Sequence, residues 1–199
     1  MNVNIEITGI KELMETLNAK QIQAAANSAI NKVADQAKTA ASRQIRQEYN
    51  IKASDLSNNL RVTTRSSGSR LEAIITGFKR GAALSMFGAK QIGVSLSKKA
   101  FRYTRKATDG RGGAVSVEVI RGQRKTLSGD PKPFMTRFKS GHVAVMQREG
   151  KSRLPVKQLL GPGIAHLLGS RKIMDGIRKT VNQKFDQIFK HELEWRLKK

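Results

Sequence analysis

Several ingredients of common protein sites are absent from this 199-residue sequence. It has no cysteine, which excludes a disulfide framework, a thiolate metal site and a cysteine nucleophile, and which suits assembly in a reducing cytoplasm. Aromatic residues make up only 5% of the chain, so the core has to be built from Ile, Leu, Val and Ala. No segment approaches the roughly 20 apolar residues of a membrane span, and the first residues predict no signal peptide.

Acidic residues are scarce as well. Lys and Arg number 38 against 15 Asp and Glu, which gives a formal net charge of +23. Such a balance indicates contact with polyanions or acidic protein surfaces, and it says nothing about the fold. Residues 90–153 hold sixteen basic and four acidic side chains, whereas residues 1–50 hold six and five. The middle of the chain is therefore the predicted contact region.

Hydrophobic periodicity predicts an α+β fold, in which a small, mostly antiparallel sheet is packed by a long N-terminal helix and a C-terminal helix. The long helix is the clearest element, because Ile, Val and Ala recur on one helical stripe from about residue 20 to 48. The predicted elements, in chain order, are a strand at 3–7, a short helix at 10–17, the long helix at 20–48, a helical turn at 53–56, a hairpin over 60–75, strands at 114–120 and 143–145, and a helix at 170–196.

Residues 79–113 lack such periodicity. Six glycines punctuate a stretch that is rich in Lys, Arg and Ser, which favours an extended basic arm or a long loop over packed core. The sequence shows no internal repeat. We therefore expect residues 1–199 to form a single domain from which 79–113 extends as an arm.

Two glycine motifs invite a phosphate-binding interpretation that the sequence does not support. A phosphate loop ending in Gly150-Lys151-Ser152 needs another glycine five residues earlier, where Val145 stands, and Pro155 argues against a following helix. Gly161-Pro162-Gly163 fits a rigid turn better than a dinucleotide cradle. Both segments are predicted to be turns, so no cofactor is expected.

Residues suited to catalysis or metal binding are equally dispersed. His142, His166 and His191 show no i, i+4 pairing and no neighbouring cysteine, so they do not predict a metal site. The few carboxylates of the middle third lie beside basic or turn residues, and no Gly-x-Ser-x-Gly elbow occurs. The sequence therefore predicts a protein that is not an enzyme.

A dense basic cluster with interleaved Phe101 and Tyr103 is compatible with single-stranded nucleic acid, because bases can stack on the rings while the cations contact phosphates. No zinc-finger, KH or RRM pattern accompanies it, so contact would be independent of sequence. An acidic ring of another protein would suit the same residues, and both alternatives stay open. The candidate contact residues are Lys98, Lys99, Arg102, Arg105, Lys106, Arg111, Arg121, Arg124 and Lys125.

A segment of about thirty residues resembles a known family. Phe134 leads a strand that continues to Gly141-His142-Val143, and a glycine turn follows at Gly150-Lys151. The segment ends in the run Leu154-Pro155-Val156-Lys157-Gln158-Leu159-Leu160-Gly161-Pro162. This pattern is similar to that of phage minor tail protein Z and related tail-completion proteins, and Ile51-Lys52-Ala53-Ser54-Asp55-Leu56 after the long helix also matches.

The resemblance implies a structural virion protein that completes the phage tail and joins it to the neck. It implies a tail-terminator-like fold and a homo-oligomeric, hexameric ring that contacts other tail and neck proteins. The basic arm would be the part that reaches a neighbouring subunit, and Pro155 would lie at a sheet edge or bulge. A DNA-binding assembly factor, which holds the DNA end at the head–tail joint, is the alternative that the basicity suggests.

Overall fold

The computed structural model describes residues 2–6, 19–78, 80–92, 94–96, 103–105 and 113–198. These residues confirm the predicted mixture of helices and small antiparallel sheets. The helices are α1 (Ala19–Glu48), α2 (Ala53–Asn59), α3 (Ile164–Leu168) and α4 (Arg171–Leu197). The strands are β1 (Asn2–Glu6), β2 (Leu60–Thr64), β3 (Glu72–Gly77), β4 (Lys90–Gln91), β5 (Val94–Leu96), β6 (Tyr103–Arg105), β7 (Val115–Val117), β8 (Lys125–Thr126), β9 (Phe134–Arg137), β10 (Val143–Arg148) and β11 (Val156–Gln158).

The chain forms two compact units. Unit 1 comprises Met1–Ile45, Leu56–Arg80 and Gly163–Lys199, and unit 2 comprises Arg46–Asp55 and Gly81–Pro162. None of the helices in the described residues is long and apolar enough to cross a membrane.

The sheet of unit 1 has the strand order β1-β3-β2, with antiparallel neighbours. Ile75 in the central strand faces Val3 on one side and Val62 on the other. Ala73 and Ile75 are fully buried, as expected when alternate residues of a strand face the core. The predicted hairpin over 60–75 is thus confirmed as β2 and β3.

Helix α1 supplies half of the buried apolar residues that are described in unit 1. The small alanines on its buried stripe allow other elements to approach closely, and each fully buried Ile adds roughly 1.5–3 kcal/mol. Ile22 and Ala26 pack against Phe185, Phe189 and Leu193 of α4. The buried stripe consists of Ile22, Ala25, Ala26, Ala29, Ile30, Val33, Ala34, Ala37, Ala41 and Ile45.

A polar edge of α1 holds the turn between β2 and β3. The side-chain amides of Gln23 and Asn27 donate to the Gly68 carbonyl at 2.8 and 3.0 Å. Asn31 donates to the Ser66 carbonyl and accepts from its N–H, each at 2.9 Å. These bonds satisfy turn groups that a strand ladder leaves unpaired, so the hairpin is fixed on the helix as well as by its own pairing.

Helix α3 packs on the end of β3 at a position that admits only glycine. A Cβ on Gly77 would lie 2.8 Å from the Ala165 nitrogen, which is backbone that cannot move aside alone. The Ala165 N–H donates to the Phe78 carbonyl at 3.1 Å. The missing side chain therefore lets α3 close against the sheet.

Unit 2 is built from short antiparallel sheets around a 3-10 helix, Leu84–Phe87. Strands β4-β7-β8 form one sheet and β11-β10-β9 another, while β5 pairs with β6. Phe87 is fully buried, and the Ser85 hydroxyl donates to the Val143 carbonyl at 2.6 Å. The Gln91 side chain donates to the Gly113 carbonyl and accepts from the Met135 N–H, at 3.3 and 3.1 Å.

Both long helices match their predictions within one residue, and the short elements differ more. The strand predicted at 114–120 is confined to β7, because the Glu118 N–H donates to the Phe87 carbonyl and Ile120 forms an isolated bridge with Tyr49, both outside the ladder. Periodicity missed β11 and α3, since three to five residues are too few to show a period. The turn-rich stretch before Pro133 contains β8, and β9 begins at Phe134, as the resemblance implied.

The predicted arm at 79–113 falls mostly where little is described. Its described start, residues 80–92, contains the 3-10 helix with buried Leu84 and Phe87, so these residues contribute to a core. Residues 97–102 and 106–112, and the predicted helix at 10–17, lie outside the described residues. The arm and the single-domain organisation stay predictions.

A buried carboxylate joins the two long helices of unit 1. Glu192 of α4 is 5% exposed and accepts hydrogen bonds from Lys32 of α1 and from Arg196. Burial by itself raises the pKa of Glu192, but hydrogen bonds from Lys32, Arg196 and Ser28 outweigh it and lower this pKa to about 2. The ionised form is therefore the one that the fold stabilises.

Acid should weaken unit 1 through Glu192. Because its folded pKa is depressed, its contribution of about 2 kcal/mol is present above pH ~4.5 and is lost as the pH falls towards 2. Glu192→Gln should lower the free energy of unfolding by that amount at pH 7, and the difference from wild type should shrink as the pH falls below ~4.5 and vanish only below about pH 2. Urea unfolding followed by the fluorescence of Trp195, the single tryptophan, measures it.

Glu194→Gln is the matched control, because Glu194 lies on the same helix and is half exposed beside Lys190. It should change the free energy of unfolding by less than about 0.5 kcal/mol at every pH. Equal effects of the two substitutions would contradict a special role for the buried carboxylate.

Candidate interaction surface

The candidate surface lies in unit 2, around the turn that follows β7 and the segment that ends at Pro162. Three of the nine candidate contact residues, Arg121, Arg124 and Lys125, have described side chains there, and all three are exposed. Arg105 lies in β6, where only the backbone is described, and Lys98, Lys99, Arg102, Lys106 and Arg111 lie outside the described residues. The structure therefore brings three predicted residues together and leaves the dense cluster untested.

Arg121 donates its hydrogen bonds to backbone carbonyls of the protein itself. Its guanidinium donates to the Arg46 carbonyl through Nε and Nη2, at 3.1 and 2.9 Å, and its own N–H donates to the Glu48 carbonyl at 2.9 Å. Carbonyls in the last turn of a helix lack intrahelical partners and carry the negative end of the helix dipole. Arg121 therefore caps the C-terminus of α1.

Arg124 is also engaged. Its guanidinium donates to the Gly88 carbonyl, the Ser116 hydroxyl and the Glu118 carboxylate, all at 3.2–3.3 Å. Glu118 in turn accepts the Gly122 N–H at 2.8 Å, and this bond, assisted by Arg124, lowers the pKa of Glu118 despite partial desolvation. Arg124 and Glu118 together fix the turn that follows β7.

Lys125 stands at an open apolar groove. The groove has a volume of about 460 Å³, and among the described residues that line it Lys125 is the only charged one. Ile120 and Leu160, which line it, are 45% and 53% exposed, although large aliphatic side chains favour burial. The groove is lined by Leu84, Val117, Val119, Ile120, Gln123, Lys125, Leu127, Leu159, Leu160 and Gly161.

One side of the groove is a sheet edge. Strand β8 is the outer strand of its sheet, and Lys125 and Leu127 on either side of Thr126 line the groove. The Leu127 N–H donates to the Val115 carbonyl at 2.8 Å, and Lys125 faces Val117. Because hydrogen-bonded pairs alternate with non-bonded pairs in antiparallel ladders, the N–H and C=O of Thr126 point away from β7, towards the open edge.

The residues of the recognised segment mainly build the sheet β11-β10-β9. The guanidinium of Arg148 lies 5.8 Å from the centre of the Phe134 ring, and His142 stacks on Phe138 with ring centres 5.9 Å apart. Val143 pairs with Arg137 across the turn at Gly141, whose φ of 82° favours glycine.

The second half of this segment forms the edge of that sheet and then reaches the groove. Gly150 and Lys151 lie in an exposed bend, as predicted, and Leu154 is 67% exposed. Pro155 precedes the edge strand β11, the kind of position predicted for it, and its carbonyl accepts the Glu149 N–H at 3.1 Å. The Gly161 N–H donates to the Ala82 carbonyl at 2.7 Å just before Pro162. The end of the segment therefore places Leu159 and Leu160 in the groove.

Comparison with known proteins indicates the same family as the resemblance of residues 134–162. The family model described as prophage minor tail protein Z (GPZ) matches residues 7–199. The chain belongs to the minor tail protein Z family. No curated protein and no solved structure matches it.

Membership of the minor tail protein Z family makes this chain a structural protein of the phage tail, and hence a virion component. The described residues include no group of three or more His, Asp or Glu that could hold a metal ion. The surface features described in unit 2 are basic side chains, an apolar groove and a sheet edge.

Sequence reasoning missed the groove. Its residues come from four separated stretches, and Val117, Ile120, Leu159 and Leu160 read equally well as core. The one usable signal is the pair Leu159-Leu160 beside a proline–glycine turn, because adjacent side chains of an extended segment point in opposite directions and cannot both enter one core. Whether these aliphatic side chains lie in the core or line the groove depends on their burial in the fold, which composition does not reveal.

Replacing Arg121 should loosen the end of α1. Arg121→Gln removes two charge-assisted hydrogen bonds to the Arg46 carbonyl, which should cost about 1 kcal/mol at this exposed site. Amide hydrogen exchange at residues 45–48 should therefore accelerate roughly fivefold. Arg153→Gln removes the same charge from an exposed bend and should leave these amides unchanged; equal exchange in both variants would contradict the cap.

Proposed function

We propose that this minor tail protein completes the phage tail and joins it to the neck as a ring-forming connector. The observation that carries the proposal is the apolar groove, because a half-exposed Ile120 and Leu160 on a chain of net charge +23 suit burial by a protein partner. Family membership supports contact with other tail proteins. Ring formation and a hexameric stoichiometry rest on the resemblance to tail-completion proteins.

The proposed role is assembly and not catalysis. The titratable groups with a lowered pKa in the described residues are Glu118 and Glu192, and each is held by structural hydrogen bonds. A perturbed carboxylate that faces no substrate cleft serves stability. The protein would be made and assembled in the cytoplasm of the bacterial host and would remain in the tail or neck of the virion.

Loss of this chain should block head–tail joining. In a phage that lacks it, filled heads and tails should accumulate separately, and infectious particles should fall by at least a hundredfold. Electron microscopy of lysates and plaque counts measure both quantities, and supplying the wild-type chain in trans should restore joining. Normal joined particles in its absence would contradict the proposal.

A DNA-binding assembly factor is the second candidate, and the charge of unit 2 favours it. Residues 113–162 carry ten basic and three acidic side chains, although Arg121 and Arg124 are already engaged. The basic cluster near residue 100 would then hold the DNA end at the joint. Sequence-independent phosphate contacts require a steep dependence of affinity on salt.

Neutralising Lys98, Lys99, Arg102, Arg105 and Lys106 tests this second candidate. With single-stranded DNA as probe, the slope of log affinity against log salt should become shallower by about 3 to 4, because five phosphate contacts are lost. The control neutralises five exposed cations of α4 and should change the slope by less than 1: Arg171, Arg178, Lys179, Lys184 and Lys190. Equal changes of the slope in both variants would show that it depends on net charge alone, and would contradict a DNA site at the basic cluster.

A further inference from the structure

We propose that the apolar groove of unit 2 binds an acidic, extended segment of a different tail protein, which adds a strand to the open edge of β8. This inference rests on the proposed function and names the partner chemistry of its surface. Strand addition needs main-chain groups at an open edge, pockets for alternate side chains and matching charge. Each of these is present at the groove.

The pocket requirement is met by the groove itself. Ile120 and Leu160 are 45% and 53% exposed, and they stand over a cleft of about 460 Å³, which is large enough for two or three aliphatic side chains. Burying such half-exposed side chains against apolar groups of a partner removes apolar surface from water and so favours binding. The occupant therefore presents apolar residues towards Ile120 and Leu160.

The main-chain requirement is met by Thr126. Its N–H and C=O point away from β7, and no strand in the described part of the chain lies beyond β8. Lys125 and Leu127 face the groove on either side of this position. An extended segment that pairs with Thr126 would thus send every second side chain into the groove.

Charge selects the partner. Lys125 is the single charged lining residue, it makes no ion pair within the described residues, and residues 113–162 carry an excess of basic side chains around it. A second copy of this chain bound through the same basic face would place further cations beside Lys125, and like charges oppose that contact, so the proposed ring would form through other faces. An acidic segment of another tail protein places a carboxylate at Lys125 instead.

Three variants separate the groove from the general surface. Leu160→Asp puts a charge into the groove, and Thr126→Pro removes only the outward-facing N–H of β8, since that donor takes no part in the β7 ladder. Ile92→Asp is the matched control, because Ile92 belongs to unit 2, is 55% exposed and lies outside the groove. In a phage lacking the chain, Leu160→Asp and Thr126→Pro should restore at least tenfold fewer joined particles than wild type, and Ile92→Asp should come within twofold.

Photo-crosslinking identifies the occupant even where a variant fails to fold. A benzoylphenylalanine placed at position 160 and irradiated in assembled particles should crosslink to another virion protein, at a segment with carboxylates within a few residues of the attachment site. The same probe at position 92 should not yield this product. Mass spectrometry of purified particles reads both results.

Several outcomes would overturn the inference. Crosslinks from position 160 to a second copy of this chain would make the groove a self-interface, and crosslinks to DNA would make it a nucleic-acid site. No crosslink in particles that contain the chain, or full complementation by Leu160→Asp, would refute an occupied groove. The proposed role in joining is contradicted by a different result, namely normal joining of particles that lack the chain.

Discussion

A shortage of negative charge constrains this molecule. With 38 basic and 15 acidic residues, self-repulsion opposes the compact state, so the position of each carboxylate matters. Three of the described carboxylates connect separate parts of the fold: Glu192 joins α4 to α1, Asp35 accepts from both terminal guanidinium nitrogens of Arg65 beside the hairpin, and Glu118 pairs with Arg124 at the turn after β7. Removing one of them would also leave a cation that repels its neighbours.

Because charge repulsion opposes folding, the burial of apolar residues has to stabilise the fold efficiently. Helix α1 buries ten residues on one stripe, six of them alanines, and so gains contact area by close approach instead of by large side chains. Close approach is also permitted at the junction of β3 and α3, because Gly77 has no side chain and the two backbones can make contact there. A core of small residues leaves little tolerance for added volume. It also needs few aromatic residues, which are scarce in this sequence.

The sequence predicted long elements well and short ones poorly. Helix α1 was expected at 20–48 and runs from Ala19 to Glu48, because thirty residues of periodic pattern overwhelm local exceptions. Helix α3 and strand β11 contain five and three residues, so tertiary contacts such as the bond from Ala165 to Phe78 decide their conformation. The recognised segment located the family, yet its periodicity could not reveal that Leu160 is half exposed while Leu84 in the same groove is buried.

The candidate contact residues show why charge alone could not locate the site. The sequence predicts Arg121 and Arg124 as contact residues for a polyanion or a partner, but both donate hydrogen bonds to carbonyls or a carboxylate of their own unit. Lys125, next to Arg124 in sequence, lies in the edge strand β8 and lines the apolar groove. A guanidinium with five donors is readily recruited to satisfy backbone oxygens, whereas a lysine at an apolar rim keeps its charge available. In such a basic chain, recognition of a partner therefore depends on where exposed apolar surface lies next to a cation that has no ion pair within the described residues. In unit 2, both are found at the groove beside β8.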